Sequence, residues 1–133
     1  MTLYVDSSAW LKRYVDEAES DVAEQYLRAD DAWVTARHTW VEVRRNLARL
    51  LKGTALHDAR GAFTVDYRRT HIVELDETTC ALAAEIAEAS LVRSLDALHL
   101  AALRRLGTDV TLLTFDIRQA QAARSLGHAV VGA

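Results

Sequence analysis

Four acidic residues occupy positions in the sequence from which carboxylates can be brought together. Asp6 and Asp116 each end a short apolar run that is rich in β-formers, and a helical pattern follows each of them. Glu42 and Asp96 each lie near the start of another helical pattern. Several carboxylates in one crevice of low dielectric repel one another and become partly protonated, and a divalent cation removes that cost.

The ligand types indicate the cation and the chemistry. Oxygen ligands, without cysteines or paired histidines at ligand spacing, favour Mg²⁺ or Mn²⁺ over Zn²⁺. Such an ion lowers the pKa of a bound water and neutralises the charge that develops on a transferring phosphoryl group. The predicted chemistry is hydrolysis of a phosphodiester by metal-activated water.

Each acid also has a structural interpretation. Asp96 and Asp116 stand where a helix N-cap or first turn favours an acid, and spacing alone favours capping at both positions. A capping carboxylate can still face a metal. Glu42 lies opposite the apolar stripe of its helix and can belong to a solvated face. Asp6 ends a buried strand and needs partners there, which favours a functional role.

Strand and helix patterns alternate along the chain. Short apolar runs predict strands at residues 2–5, 33–36, 71–75, 110–115 and 129–131. Amphipathic periodicity predicts helices near residues 9–14, 19–29, 40–51, 56–68, 78–89, 95–106 and 117–126, the first capped by Ser7 or Ser8. This alternation implies an α/β fold with a mostly parallel sheet of four to five strands covered on both faces. Its ligand crevice is expected at the carboxyl ends of the strands, where the strand order reverses.

The composition is typical of one compact domain over residues 1–133. A formal net charge of −3 argues against a generally basic surface, so any nucleic-acid contact must be local. Cys80 is the only cysteine, which excludes an internal disulfide and favours a reducing cytoplasm, and its neighbours predict a buried thiol. No signal peptide is recognisable, and no apolar run approaches the ~20 residues of a membrane span. We therefore expect a soluble, cytoplasmic protein without membrane contact.

Four segments resemble the motifs of a known family. YVDSSAWLKRY is similar to the family's opening strand–Asp–Ser–helix motif, WVEVRRNLARL to its glutamate-bearing helix, SLDALHLAAL to its third acidic motif and LLTFDIRQAQAARSLG to its fourth. The four occur in the family's order and at its spacing. Over essentially its whole length the chain resembles PIN-domain proteins of the VapC toxin type, which implies a three-layer α/β/α fold.

The resemblance implies an endoribonuclease that uses Asp6, Glu42, Asp96 and Asp116 around Mg²⁺ or Mn²⁺. Asp6 and Asp96 are then the most direct metal ligands, and Asp116 acts closely or through water. Glu42 positions the metal, a water or the substrate. The resemblance further implies a homodimer, neutralised by a cognate VapB-type antitoxin whose tail lies across the active site.

Two hydroxyls and three departures complete the comparison of motifs. Ser7 and Thr114 resemble the family's supporting hydroxyls beside the metal, with capping and strand packing as an equal alternative. The chain differs at Arg45 and Asn46, where small residues are frequent, and at Gln119, where an apolar residue is frequent. These departures concern substrate and antitoxin preference and leave the four acids unchanged.

Basic residues near the acids are candidates for RNA contact. Arg45 and Arg49 share a helix face with the glutamate, and Lys12 lies on the first helix. Phosphate binding and an ordinary solvated face explain them equally well. His99, one turn after the third acid, is expected to be a packed or supporting histidine rather than a metal ligand.

Two other functions compete with the nuclease. A PIN-like module without catalysis would hold RNA or a protein, and its expected mark is the loss of an acid, whereas all four are present. A phosphate receiver needs adjacent acids after the first strand and a late lysine, but Val5 precedes Asp6 and no lysine follows Lys52. An aspartate-nucleophile phosphatase needs a second aspartate where Ser8 stands.

Overall fold

The computed structural model describes residues 2–133, in which five strands and seven helices follow one another. The strands are β1 (Thr2–Val5), β2 (Ala32–Ala36), β3 (His71–Val73), β4 (Val110–Thr114) and β5 (Val130–Gly132). The helices are α1 (Ser7–Tyr14), α2 (Ser20–Ala29), α3 (Thr39–Leu50), α4 (Gly53–Arg68), α5 (Glu77–Ser90), α6 (Ser94–Arg105) and α7 (Ile117–Ser125). Within the described range, no helix has the length and apolar character needed to cross a membrane.

All five strands form one parallel sheet in the order β3-β2-β1-β4-β5. The central strand β1 pairs with β2 and β4, so that Tyr4 lies opposite both Val34 and Leu112. The strand order reverses between β1 and β4, and open parallel sheets bind ligands at the carboxyl ends of the strands beside such a reversal. Asp6 follows β1 and Asp116 lies just beyond β4, and because these two strands are neighbours, both acids lie at the same edge of the sheet.

Two apolar cores lie on opposite faces of the sheet. Leu3, Val5 and Leu113 pack with buried residues of α1, α2, α3 and α4 on one face. Tyr4 and Leu112 pack with α5, α6 and α7 on the other. Strands that are buried on both faces carry continuous apolar runs, which made these strands recognisable in the sequence. The helix–sheet–helix arrangement confirms the predicted three-layer α/β/α fold.

The first helix is capped by a residue that was not predicted as its cap. Asp6, not Ser7 or Ser8, is the N-cap of α1, and its carboxylate accepts hydrogen bonds from the backbone N–H groups of Ser8 and Ala9. An ionised carboxylate satisfies these amides and also interacts favourably with the positive end of the helix dipole. The capping role that the sequence suggested for the serines therefore belongs to the first acid.

The expectation of a buried Cys80 thiol is wrong, because this cysteine is exposed. Helix α5 buries Thr79, Ala83 and Ile86, which recur every three to four residues and so form one face. Cys80 is one position beyond Thr79, which turns it away from that face by about 100°. Apolar neighbours along the chain do not report on the orientation of a helical residue.

Candidate active site

Asp6 is buried at the carboxyl end of β1. Its Oδ1 atom accepts hydrogen bonds from the Ser8 backbone N–H at 2.8 Å and from the Ser8 hydroxyl at 2.6 Å. Its Oδ2 atom accepts one from the Thr114 hydroxyl at 2.6 Å. Burial raises the pKa of Asp6, while His99 and the hydroxyl donors act in the opposite direction. One carboxylate thus caps α1 through Oδ1 and contacts β4 through Oδ2.

Thr114 connects the ends of the two central strands. Its fully buried hydroxyl donates to Asp6 and accepts from the backbone N–H of Asp116 at 3.1 Å. Asp116 in turn caps α7, because its Oδ1 accepts from the N–H groups of Arg118 at 2.9 Å and Gln119 at 3.3 Å. The capping interpretation of Asp116 is therefore confirmed, and it coexists with a position in the acidic cluster.

Asp96 lies half-buried in the first turn of α6 and is not the N-cap of that helix. No hydrogen bond that residues 2–133 form reaches its carboxylate. Burial raises the pKa of Asp96, and the charges of Asp116, Asp6 and Glu42 raise it further, against an opposing effect of His99. Asp96 therefore lies within electrostatic range of all three other predicted acids.

Asp96 and Asp116 line a surface pocket of about 310 Å³ at the start of α6 and α7. Arg93 and Arg118 line the same pocket, which places two cations beside two carboxylates. The Gln119 side chain joins the two helices by donating from Nε2 to the Asp96 carbonyl at 3.2 Å. Neither arginine was predicted as a site residue. Their positions within three residues of a motif acid were the available signal.

Glu42 turns toward the acidic cluster, so its interpretation as part of a solvated face is wrong. Its Oε1 atom accepts hydrogen bonds from the Ser7 hydroxyl and from His99 Nε2, both at 2.6 Å. Burial acts to raise the pKa of Glu42, but the bond and charge of His99, the Ser7 bond and the charge of His38 outweigh it, so the net shift is downward. Glu42 is therefore held as a carboxylate between α1 and α6.

Two histidines lie beside this glutamate. His99 is buried, as predicted for a packed histidine, and its Nδ1 lies 2.7 Å from the Tyr4 hydroxyl. The His38 ring lies next to it, with 4.1 Å between the ring centroids, and His38 Nε2 is 3.6 Å from Glu42 Oε1. No role was predicted for His38, and its contact with His99 was not anticipated. The spacing of four residues between His38 and Glu42 was a signal, whereas the pairing with His99 depends on tertiary packing.

The predicted basic contacts lie away from the pocket that the aspartates line. Arg45 and Arg49 are exposed on α3. Lys12 Nζ donates to the Ala18 carbonyl at 2.7 Å and lies 5.0 Å from the centroid of the Phe115 ring. None of the three basic residues lines the 310 Å³ pocket.

A larger depression of about 810 Å³ is lined by α1, α2 and α4 and contains a network of paired charges. Arg13 binds Glu24 and Asp66, in each case at 2.9 Å, and the Tyr14 hydroxyl donates to Asp66 at 2.6 Å. The charges of Arg13, Glu24 and Asp66 are therefore paired with one another. These ion pairs hold the three helices together. In the smaller pocket, by contrast, neither Asp96 nor Asp116 forms an ion pair with another of residues 2–133.

The donor set of the acidic cluster fits a hard divalent cation. Asp6, Glu42, Asp96 and Asp116 offer carboxylate oxygens, which Mg²⁺ and Mn²⁺ prefer as ligands. A cation near Asp96 would remove the repulsion that raises its pKa, and it would supply the partner that this carboxylate lacks among residues 2–133.

Fold and site define a three-layer α/β/α protein with an acidic cluster at the reversal point of a parallel sheet. The PIN domain model matches residues 3–125, and the chain belongs to the PIN-domain family. Ribonuclease VapC46 of Mycobacterium tuberculosis is 38% identical over 130 residues, which cover 97% of this chain and 95% of that protein. The resemblance to VapC-type proteins is thereby confirmed.

Solved structures show the same fold at lower identity. The crystal structure of FitAcB from Neisseria gonorrhoeae matches with a TM-score of 0.76 and 18% identity, and the match covers 96% of this chain and 95% of that one. VapC20 of Mycobacterium tuberculosis, described as a sarcin-ricin loop cleaving toxin, matches with a TM-score of 0.73 and 18% identity over 90% of this chain and 94% of that one.

Proposed function

We propose that the protein is a Mg²⁺- or Mn²⁺-dependent endoribonuclease and the toxin of a toxin–antitoxin pair, with residues 1–133 acting as a single PIN domain. The observation that carries this proposal is the convergence of acids from four separate motifs, since the pKa of Asp96 is raised by Asp116, Asp6 and Glu42. The name of a relative, ribonuclease VapC46, supports the same activity.

In this proposal Asp6, Asp96 and Asp116 hold the cation. When bound, the cation supplies a water of lowered pKa and neutralises charge on the phosphoryl group. The hydrogen bonds of the protein prepare the ligands for this role. The bonds from Ser8 fix Asp6 through Oδ1. Among residues 2–133 only Thr114 donates to Oδ2, so Oδ2 retains a lone pair for the cation.

Glu42 orients a water or the RNA beside the aspartates. The bonds from Ser7 and His99 both end on Oε1, which leaves Oε2 for the site. The lowered pKa of Glu42 keeps this group ionised at neutral pH, so it can accept a hydrogen bond or a proton from a nucleophile.

RNA phosphates bind next to the acids through nearby cations. Arg93 and Arg118 share the pocket of Asp96 and Asp116, and we place them closest to the scissile phosphate. Lys12, Arg45 and Arg49 stay candidates for contacts farther along the RNA. Because the net charge is −3, binding depends on such local cations rather than on the charge of the whole protein.

The proposed partner is a VapB-type antitoxin that covers the acidic cluster in the cytoplasm, and the proposed assembly is a homodimer. A short reading frame immediately upstream that encodes a DNA-binding protein supports the partner if its product co-purifies with this chain and stops cleavage. Light scattering of the purified chain measures the assembly. A monomeric mass at working concentration contradicts the homodimer.

Cleavage of structured RNA by the purified chain tests the function. We expect cleavage with Mg²⁺ or Mn²⁺ and none with EDTA. Asp96→Asn should fold normally, and its cleavage rate should fall by more than about 100-fold. The loss of a direct metal ligand should cost more than the loss of a residue that only hydrogen-bonds to such a ligand. Asp109→Asn is the matched control, since Asp109 is exposed at the opposite end of β4. Undiminished cleavage by Asp96→Asn contradicts the proposal, and RNA binding without turnover supports the silent PIN-like module instead.

A further inference from the structure

His38, Glu42 and His99 place three metal-ligand types at one point beside the aspartates. One ligand atom of each residue lies within 4.8 Å of the others. Glu42 Oε1 is 2.6 Å from His99 Nε2 and 3.6 Å from His38 Nε2. Both histidines are buried, and the group connects the start of α3 to α6 through the contacts of His38 with Leu95 and of Glu42 with His99.

The Tyr4 hydroxyl fixes the orientation of the His99 ring. Its Nδ1 lies 2.7 Å from the hydroxyl of Tyr4, so Nε2 points toward Glu42. Histidines that bind metals are usually held through the second ring nitrogen in this manner. Tyr4 is itself completely buried in the central strand, and burial raises its pKa well above the usual value. The phenol therefore stays neutral and can donate or accept.

The two ring nitrogens of His38 differ in their hydrogen bonding. Its Nε2 lies 3.0 Å from the carbonyl of Leu95, while its buried Nδ1 lacks a hydrogen-bond partner among residues 2–133. Zinc bound at Nε2 would replace the contact with Leu95 and leave the ring proton on Nδ1. The neutral form of an imidazole is the one that binds zinc.

We propose that His38, Glu42 and His99 form a Zn²⁺ site distinct from the Mg²⁺ or Mn²⁺ site of the aspartates. Zinc bound there inhibits RNA cleavage, because a Glu42 carboxylate that binds zinc can no longer orient a water or the RNA. Zinc binding stands independently of the proposed ribonuclease activity. Only the inhibition rests on that activity.

The donor chemistry separates the two sites. Two imidazoles and one carboxylate form a zinc donor set that leaves a fourth position open to water. Mg²⁺ prefers oxygen ligands in octahedral geometry and disfavours this set. Zinc binding at His99 Nε2 requires the ring proton to occupy Nδ1, where the Tyr4 oxygen accepts it.

Calorimetry with Zn²⁺ and absorption spectroscopy with Co²⁺ test the site on the untagged full chain. We expect saturable binding of one zinc per chain and the visible bands of four-coordinate cobalt. His38→Asn and His99→Gln should weaken zinc binding by more than the ~10–100-fold that losing an outer partner costs. A six-coordinate cobalt spectrum or the absence of saturable zinc binding overturns the site, with no variant needed.

Two further sets of variants show which residues bind the zinc. Asp96→Asn and Asp116→Asn should keep zinc binding, whereas Mg²⁺ binding should be lost. His57→Asn and Cys80→Ser, which change an exposed histidine and the exposed thiol, should bind zinc as the wild type does. Circular dichroism verifies that the His99 variant is folded. Zinc binding that survives His38→Asn, or that disappears in Cys80→Ser, overturns the assignment.

The inhibition is measured as the ratio of Mg²⁺-supported cleavage with and without added zinc, so that a change in basal rate does not matter. The wild type should lose cleavage at zinc concentrations that saturate the calorimetric site, and His38→Asn should need at least about tenfold more. Equal inhibition of both proteins overturns the inhibitory role. If zinc binds but no cleavage occurs in any ion, the proposed ribonuclease fails while the zinc site stands.

Discussion

Asp96 shows what the acidic cluster costs the folded protein. Its pKa is raised by burial, then by Asp116 and, with smaller effects, by Asp6 and Glu42. The folded state therefore binds a proton at Asp96 more tightly than the unfolded state does. It follows that the free energy of unfolding falls as pH rises from the ordinary pKa of an aspartate through the raised value.

We expect Asp96→Asn to have a higher Tm than the wild type at neutral pH in EDTA, because asparagine cannot ionise. The difference should shrink toward about pH 4, near the pKa of an unperturbed aspartate, where the wild-type carboxyl is increasingly protonated. Mg²⁺ should raise the Tm of the wild type but not that of Asp96→Asn. Thermal melts at several pH values, with Asp109→Asn as the control, measure both effects. A variant that is less stable than the wild type at neutral pH contradicts the repulsion described for Asp96.

Capping and catalysis are not alternatives at the single-residue level in this site. Asp6 and Asp116 each use Oδ1 for the amides of a helix N-terminus. A shared threonine hydroxyl, that of Thr114, fixes the relation between them. A helix cap therefore orients the carboxylate that faces the cluster.

At the level of elements, the strand ends depend on a close contact between β4 and β5. Gly132 has a φ of +100° and pairs with Thr114, and a Cβ atom there would lie 2.4 Å from the Thr114 carbonyl oxygen. A side chain at this position must displace the backbone that holds the Thr114 hydroxyl. The edge strand β5 therefore helps to position the acids of the cluster, although none of these acids lies on β5.

Gly132→Ala should lower the free energy of unfolding by about 1–3 kcal/mol and weaken Mg²⁺ binding. Gly61→Ala is the matched control, because Gly61 lies inside α4 and a Cβ atom there meets nothing within 4 Å. This control should be stabilised by roughly 0.5–1 kcal/mol, since alanine favours a helix interior. Urea unfolding and calorimetry with Mg²⁺ measure the two quantities. Equal stability of Gly132→Ala and the wild type would show that β5 does not constrain Thr114.

The elements were largely predictable because their signals are local. Continuous apolar runs indicated the strands. Asp6, Asp96 and Asp116, which lie at strand or helix boundaries, indicated the edge of the sheet at which the candidate site lies. Boundaries of α1 were misplaced because the cap, Asp6, was assigned only a site role. The environment of Glu42 and the position of His38 were not predictable, since both depend on α3 and α6 meeting across the end of the sheet.

The charge of the whole molecule limits how it can bind RNA. A net charge of −3 repels a polyanion at long range, so attraction must come from cations near the pocket. Arg118 is exposed there, next to the cap of α7. Its loss should remove a phosphate contact and the release of counterions that accompanies it.

Arg118→Ala should weaken RNA binding severalfold and reduce the slope of log K against log salt by about 0.7–0.9. Anisotropy measurements in an Asp96→Asn background avoid cleavage during the titration. Arg28→Ala in the same background is the control, because the Arg28 side chain is 82% exposed on α2 and does not line the pocket. An unchanged salt slope in Arg118→Ala would place the RNA phosphates elsewhere.

The position of β1 between β2 and β4 also has a consequence for biosynthesis. Asp6 is translated well before the strand β4 that lies beside it and before the last acid, Asp116. A nascent or prematurely terminated chain that lacks β4 cannot assemble the cluster, whatever part of the sheet it has already folded. The proposed toxicity therefore requires that β4 and Asp116 have been translated and paired with β1.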